Sequence, residues 1–165
     1  MSHGENFQLE RCTEPLGAEL KQALYQHCEQ ELRSMLEGVS DAITILSTVV
    51  AVLHYRMPHY FWTGFYRDVD GALRVGPYQG TPACMEIPYH RGVCGAAWTQ
   101  QTSIVVEDVE QFPGHIACDS RSASEIVVPW FLQGRKVGVL DIDATFVGAF
   151  DEIDRVALER MAVLW

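Results

Sequence analysis

The chain has 165 residues, 48% of them apolar and 21% charged, which suits one globular domain with its own core and excludes a disordered polypeptide. Lys and Arg total 12 against 22 Asp and Glu, a net charge of -10 that argues against nucleic acid or an anionic membrane as a main partner. The cysteines, Cys12, Cys28, Cys84, Cys94 and Cys118, are odd in number and too sparse for a fully paired disulfide scaffold.

Residues 1–15 read as an irregular segment with no apolar targeting core. Residues 16–37 carry Leu16, Leu20, Leu24, Cys28, Leu32 and Met35 at helical spacing, with Gly38 expected as the C-cap. Ser40 is expected to cap the next segment, 41–57, which is apolar nearly all round. Its β-branched residues favour a strand, but its uninterrupted length favours a buried helix. The most apolar stretch, Ile43 to Leu53, is too short and too often interrupted by hydroxyls to span a membrane, so the expected location is the cytosol.

From residue 60 the periodicity changes. YFWTGFYRDVDGALRVGPYQG reads as two strands turning at Asp70-Gly71. Residues 83–89 read as a short strand begun near Cys84, 92–101 as a short helix, and 103–109 as a further strand. A polar loop, 110–123, leads to a long hairpin over 124–145 that turns at Gln133-Gly134, and Asp151 caps a last helix over 151–165. On that helix Ile153, Val156, Ala157, Met161 and Leu164 are expected to face inward. The sum is an α+β fold: about six antiparallel strands with helices packed mainly on one face. The apolar N-terminal helices also offer a surface for a second subunit, and a homodimer is one expectation.

Cys28 lies on the apolar stripe and reads as a small buried hydrophobe, and Cys12 reads as incidental. Cys94 opens a helix, where the positive dipole end lowers a thiol pKa. Cys118 sits in a loop longer and more polar than a connection needs. Asp141 and Asp143, two apart in VGVLDID, share one face of a strand, and Glu125 lies across the hairpin. These acids either sit solvated at strand ends or form an acidic pocket beside a thiol, able to take an ammonium and keep one carboxyl protonated. Trp62 and Tyr66 lie on one strand face, as core or as an aromatic wall. His115 and Cys118 form an H-x₂-C pair, but the cysteine spacing matches no zinc knuckle, so no metal is expected.

The runs GPYQGTPACMEIPYHRGVCGAAW, EDVEQFPGHIACDSRSASEIVVP and GVLDIDA resemble the GAF-domain free methionine-(R)-sulfoxide reductases. The resemblance runs from about Tyr60 to Asp154 and implies one GAF domain over the whole chain. It implies that Cys118 is the catalytic thiol and that Cys84 and Cys94 match the other family cysteines, with Cys84 preferred as the resolving thiol. Glu125, Asp141 and Asp143 match acids that hold substrate, with Glu125 or Asp143 as proton donor. Trp62 and Tyr66 match aromatics around the methyl end, and the backbone from Ile116 through Ala117 to Cys118 matches the carboxylate seat. No bound cofactor is implied, and the external reductant would be thioredoxin. A GAF sensor module is the alternative reading.

Overall fold

The computed structural model describes residues 11–165. Residues 1–10 of the expected irregular segment lie outside them, and 11–17 form neither helix nor strand. Helix α1 spans Ala18–Met35 and α2 spans Ala42–Arg56. Strands β1 (Trp62–Val69), β2 (Ala72–Gln79) and β3 (Glu86–Ile87) follow, then α3 (Gly92–Gln100) and β4 (Ile104–Val106). Strands β5 (Ser124–Leu132) and β6 (Arg135–Ala144) form the second hairpin, and α4 (Glu152–Met161) ends the order. The six strands make one antiparallel sheet ordered β3-β2-β1-β6-β5-β4.

Both long hairpins turn where expected. Asp70 and Gly71 have φ of 50° and 87°, and Gln133 and Gly134 have φ of 50° and 76°. Two successive left-handed residues give the type I′ twist that continues a right-twisted ribbon.

Strand alternation sorts side chains onto two faces. Phe65, Ile126, Val128, Trp130, Leu140 and Ile142 point to the face covered by α1, α2 and α4. Trp62, Tyr66, Val127 and Val139 point to the other, which α3 and the long loops cover. The residues 41–57 are a helix, as their length requires. Ile45, Leu46, Val49, Val50, Val52 and Leu53 are buried within the chain, while Leu20, Met35 and Ile43 of the first two helices stay exposed.

Several local expectations are corrected. The buried face of α1 is Lys21, Tyr25, Cys28 and Leu32, whereas Leu20 and Met35 are exposed. Asp41 rather than Ser40 caps α2, its side chain accepting from Thr44 N–H at 2.8 Å. Leu36 is the α1 C-cap, and Gly38 makes the left-handed turn after it. Cys84 precedes β3 instead of lying in it, and β4 stops at Val106 because Asp108 caps a short 3₁₀ turn. On α4, Val156 is exposed, and Asp154 and Leu158 join Ala157 and Met161 on the buried face.

Lys21 faces inward because its partners are there. Its ammonium donates to Asp154, to Asp151 at 2.8 Å and to Ala149 C=O at 2.9 Å. Tyr25 hydroxyl donates to Asp154 at 2.7 Å, and His59 lies 3.0 Å from the same carboxylate. Burial alone would raise the Asp154 pKa, but these hydrogen bonds from His59, Lys21 and Tyr25 outweigh it and hold it at about 2. Its stability contribution is present above the unfolded pKa of ~3.9 and is lost as pH falls through the folded value. Lys21→Met leaves the buried Asp154 carboxylate without its ammonium partner, so it is expected to cost about 3–5 kcal/mol, measured by urea unfolding at pH 7.

Candidate active site

The sheet register assembles the acids. Asp143 pairs with Trp62 on β1 and with Glu125 on β5, while Asp141 pairs with Gly64 and Val127. Alternation then sends Trp62, Tyr66, Glu125, Asp141 and Asp143 to the face away from the three long helices. They line one cavity with Cys94 on α3, and with His115, Ile116, Cys118, Asp119 and Ser122 on the loop before β5. The acids are not solvated strand ends: Glu125 is 5% exposed and Asp141 7% exposed. The enclosed space is about 40 Å³, room for only a few water molecules. Ala117 is exposed and does not line it.

The rim carries the redox element. Cys84 and Cys118 are joined as a disulfide with Cα atoms 5.7 Å apart, across 34 residues of sequence. This is the pairing the resemblance implied. Cys94 is free and buried, as is Cys28, whose thiol packs 3.8 Å from the Met57 sulfur. Cys12 is free and partly buried.

Electrostatics in the cavity run opposite to ordinary carboxylates. Burial, reinforced by the neighbouring Asp143 charge, pushes the Glu125 pKa well up. Burial and Glu125 do the same to Asp141, and burial and Asp141 to Asp143. Charging one of these acids disfavours charging its neighbours, so their protons are coupled and held more tightly than on exposed carboxylates. Asp141 shares hydrogen bonds with Glu125 and Cys94, yet its Oδ1 has no partner. A buried acceptor left open in a cavity wall is a place for a donor that arrives with a ligand.

Cys94 corrects the helix-terminus expectation. Its pKa is pushed well up, first by burial and then by Asp141 and Glu125. The partial charge of a helix end is outweighed by desolvation and adjacent acids. The thiol therefore serves as a neutral neighbour of Asp141. Ligand atoms of Cys94, Glu125 and Asp141 lie within 4.8 Å of one another, a donor set for a metal. Burial favours the protonated form of all three, so a cation would compete with protons for them. The H-x₂-C pair is dissolved by the fold: Cys118 is in the disulfide, and His115 Nε2 lies 3.1 Å from Glu125. Burial lowers the His115 pKa, so it meets Glu125 as a neutral ring.

The aromatic wall is a stack. Trp62 lies between Tyr66 and Tyr78, with ring centroids 6.1 Å and 5.4 Å away. Trp62 Nε1–H donates to Thr81 C=O at 3.0 Å, and Tyr66 hydroxyl donates to Cys84 C=O at 3.0 Å. Thr81, His115, Asp119 and Ser122 line the cavity without having been singled out as ligand contacts from sequence. For His115, Asp119 and Ser122 the available signal was their position in the same polar loop as Cys118.

The molecule thus pairs an antiparallel sheet backed by three helices with a disulfide beside an acidic cavity on the front face. A family model for the GAF domain matches residues 29–164. Protein YtsP of Bacillus subtilis is 45% identical over 144 residues, covering 86% of this chain and 88% of that protein. Free methionine-R-sulfoxide reductase of Escherichia coli is 38% identical over 141 residues, covering 86% of each chain. An X-ray structure of free methionine-R-sulfoxide reductase from Neisseria meningitidis, in complex with its substrate, is 41% identical, with a TM-score of 0.81 and coverage of 92% of this chain and 91% of that one. The chain belongs to the GAF domain family and, within it, to the free methionine-R-sulfoxide reductases.

Proposed function

We propose that the chain reduces free methionine-(R)-sulfoxide to methionine through Cys118, and that thioredoxin recycles it. The observation that carries this reading is the placement of the Cys84–Cys118 disulfide at the mouth of the cavity formed by Glu125, Asp141 and Asp143. A redox-active sulfur and a set of proton-holding acids are the two things that sulfoxide reduction needs.

In this reading the Cys118 thiolate attacks the sulfoxide sulfur while Glu125 delivers a proton to the oxygen. That attack forms a bond between the two sulfurs; the hydroxyl then passes to the Cys118 sulfur as the substrate's S–O bond and the new S–S bond break, so methionine leaves and Cys118 becomes a sulfenic acid. The Cys84 thiol condenses with it, forming the disulfide and releasing water. An external dithiol then reduces the disulfide by exchange, for which the cytosol is the natural setting. Trp62 and Tyr66 surround the methyl end, and the Ile116–Cys118 backbone, through Ala117, receives the carboxylate. The open Oδ1 of Asp141, with Asp143 beside it, takes the α-ammonium. A peptide-bound residue lacks that ammonium and would leave the buried acids uncompensated.

The test is NADPH consumption with thioredoxin, thioredoxin reductase and three substrates. Turnover is expected with free methionine-R-sulfoxide and is expected to fall at least ~100-fold with the S epimer and with N-acetylmethionine-R-sulfoxide. Absence of turnover with the free R epimer, using a chemical dithiol as well as thioredoxin, overturns the reading.

A further inference from the structure

Two segments carry the thiols, and a hydrogen-bonded circuit independent of the disulfide holds them together. Thr81 hydroxyl, three residues before Cys84, donates to Asp119 Oδ2 at 2.7 Å. Asp119 directly follows Cys118. Its other contacts come from Arg121, whose guanidinium donates to Oδ1 at 3.0 Å and to Oδ2 at 2.8 Å, and whose backbone N–H donates to Oδ1 at 2.9 Å. The same guanidinium lies over the Phe61 ring, 4.8 Å from its centroid. Phe61 adjoins Trp62, which closes the circuit by donating from Nε1 to Thr81 C=O. Tyr66 adds a second tie from β1 to the Cys84 carbonyl.

We propose that Thr81 and Asp119 are positioning residues for the resolving step: their hydrogen bond holds the Cys84 thiol beside Cys118 when the disulfide is open. This rests on the reductase reading above, and it concerns the step after methionine has left. The two thiol segments are coil, 34 residues apart in sequence. With the disulfide reduced, loop entropy favours their separation unless something else closes the gap. The Thr81–Asp119 bond is the direct side-chain link between them that survives reduction. It has a charged acceptor, which makes it stronger than a bond between neutral groups. Hydrogen bonds from Arg121 and Thr81 hold the Asp119 carboxyl below its usual range, so the acceptor stays ionised through the cycle.

The chemistry governed by this link is balanced without an added reactant. The Cys84 sulfur displaces hydroxide from the Cys118 sulfenic acid, the S–O bond breaks, the S–S bond forms, and the Cys84 proton leaves with the hydroxide as water. A sulfenic acid that waits at an exposed loop position is open to a peroxide, which adds a second oxygen and leaves a sulfinic acid that thioredoxin does not repair. The clamp thus separates productive cycling from inactivation by peroxide.

The experiment is a single turnover without reductant, with reduced protein and free methionine-R-sulfoxide. Methionine release and the Cys118 species are followed together, the latter by mass spectrometry with a dione sulfenic-acid trap. Parent and Thr81→Val are each expected to release one methionine per chain, the amount against which the trapping yield is read. The trapped sulfenic acid is expected to rise at least ~5-fold in Thr81→Val and in Asp119→Asn, and Thr81→Ser, which keeps the hydroxyl, is expected to restore the parent value. In equilibrium with glutathione, where no sulfoxide is involved, the effective concentration of the two thiols is expected to drop about 10-fold in Thr81→Val. An unchanged trapping yield per methionine released together with an unchanged glutathione equilibrium overturns the proposal. Failure of the parent to release methionine would overturn the reductase reading instead, leaving the glutathione comparison to decide the clamp.

Discussion

Cys118→Ser is expected to abolish methionine formation, by a factor on the order of 10⁴ or more, while the protein stays folded. A serine oxygen cannot take up the sulfoxide oxygen as a sulfenic acid or form the disulfide that follows. The exposed position of Cys118 means that the exchange of sulfur for oxygen opens no core cavity. Cys84→Ser separates the two halves of the cycle. It is expected to release one equivalent of methionine at close to the parent rate and then to stop turning over with thioredoxin. Rapid-quench measurement of methionine, followed by steady-state NADPH consumption, reads both. Full steady-state activity in Cys84→Ser would move the resolving role to Cys94, which lines the same cavity.

Asp141→Asn is expected to move activity and stability in opposite directions. Loss of the acceptor that meets the substrate ammonium, and of the charge it takes on when the ammonium displaces its proton, is expected to lower kcat/KM by ~100-fold or more, chiefly through KM. The folded protein meanwhile sheds a strained group. The unfolded chain releases the Asp141 proton near pH ~4, whereas the folded chain retains it to higher pH because of burial and Glu125. A group whose folded pKa is raised contributes its full stability below the unfolded pKa and loses it as pH rises through the folded one. Asn has no proton to lose, so the variant is expected to gain about 1 kcal/mol at pH 8, or ~2–4 °C in Tm, and nothing at pH 3. Calorimetry at the two pH values reads the difference. An equal shift at both would assign the effect to packing.

The features legible in the sequence are those whose cause is local. The alternation of VLDID set Asp141 and Asp143 on one face, because period two survives any packing arrangement. Asp70-Gly71 and Gln133-Gly134 announced their turns because few residue pairs take two left-handed conformations in succession. Cys28, four residues from Leu24 and Leu32, could be read as core for the same reason. Features that depend on distant partners were out of reach. Lys21 stands in an apolar stripe, and its inward orientation is set by Asp154, 133 residues later. The Thr81–Asp119 bond spans 38 residues, and neither residue type is unusual in a polar loop. For Cys94 the local rule pointed the wrong way, since the acids that raise its pKa arrive from β5 and β6. The solvated alternative for those acids failed because loop 110–123 and α3 close over strand positions that the residue pattern alone leaves open.

The position of β6 divides the site by timescale. This strand lies between β1 and β5, bonded on both sides, and the residues flanking Asp141, Leu140 and Ile142, are fully buried in the helical core. Its amides open only when the whole sheet opens. Cys118, by contrast, rides on coil whose amides can exchange through small local excursions. Asp141 and Asp143 therefore sit on a strand bonded on both sides, and the Cys118 sulfur on coil, where local opening costs less free energy. Exchange protection along β6 is expected to outlast that of residues 115–119, so the two parts of one cavity differ in how often their backbone opens.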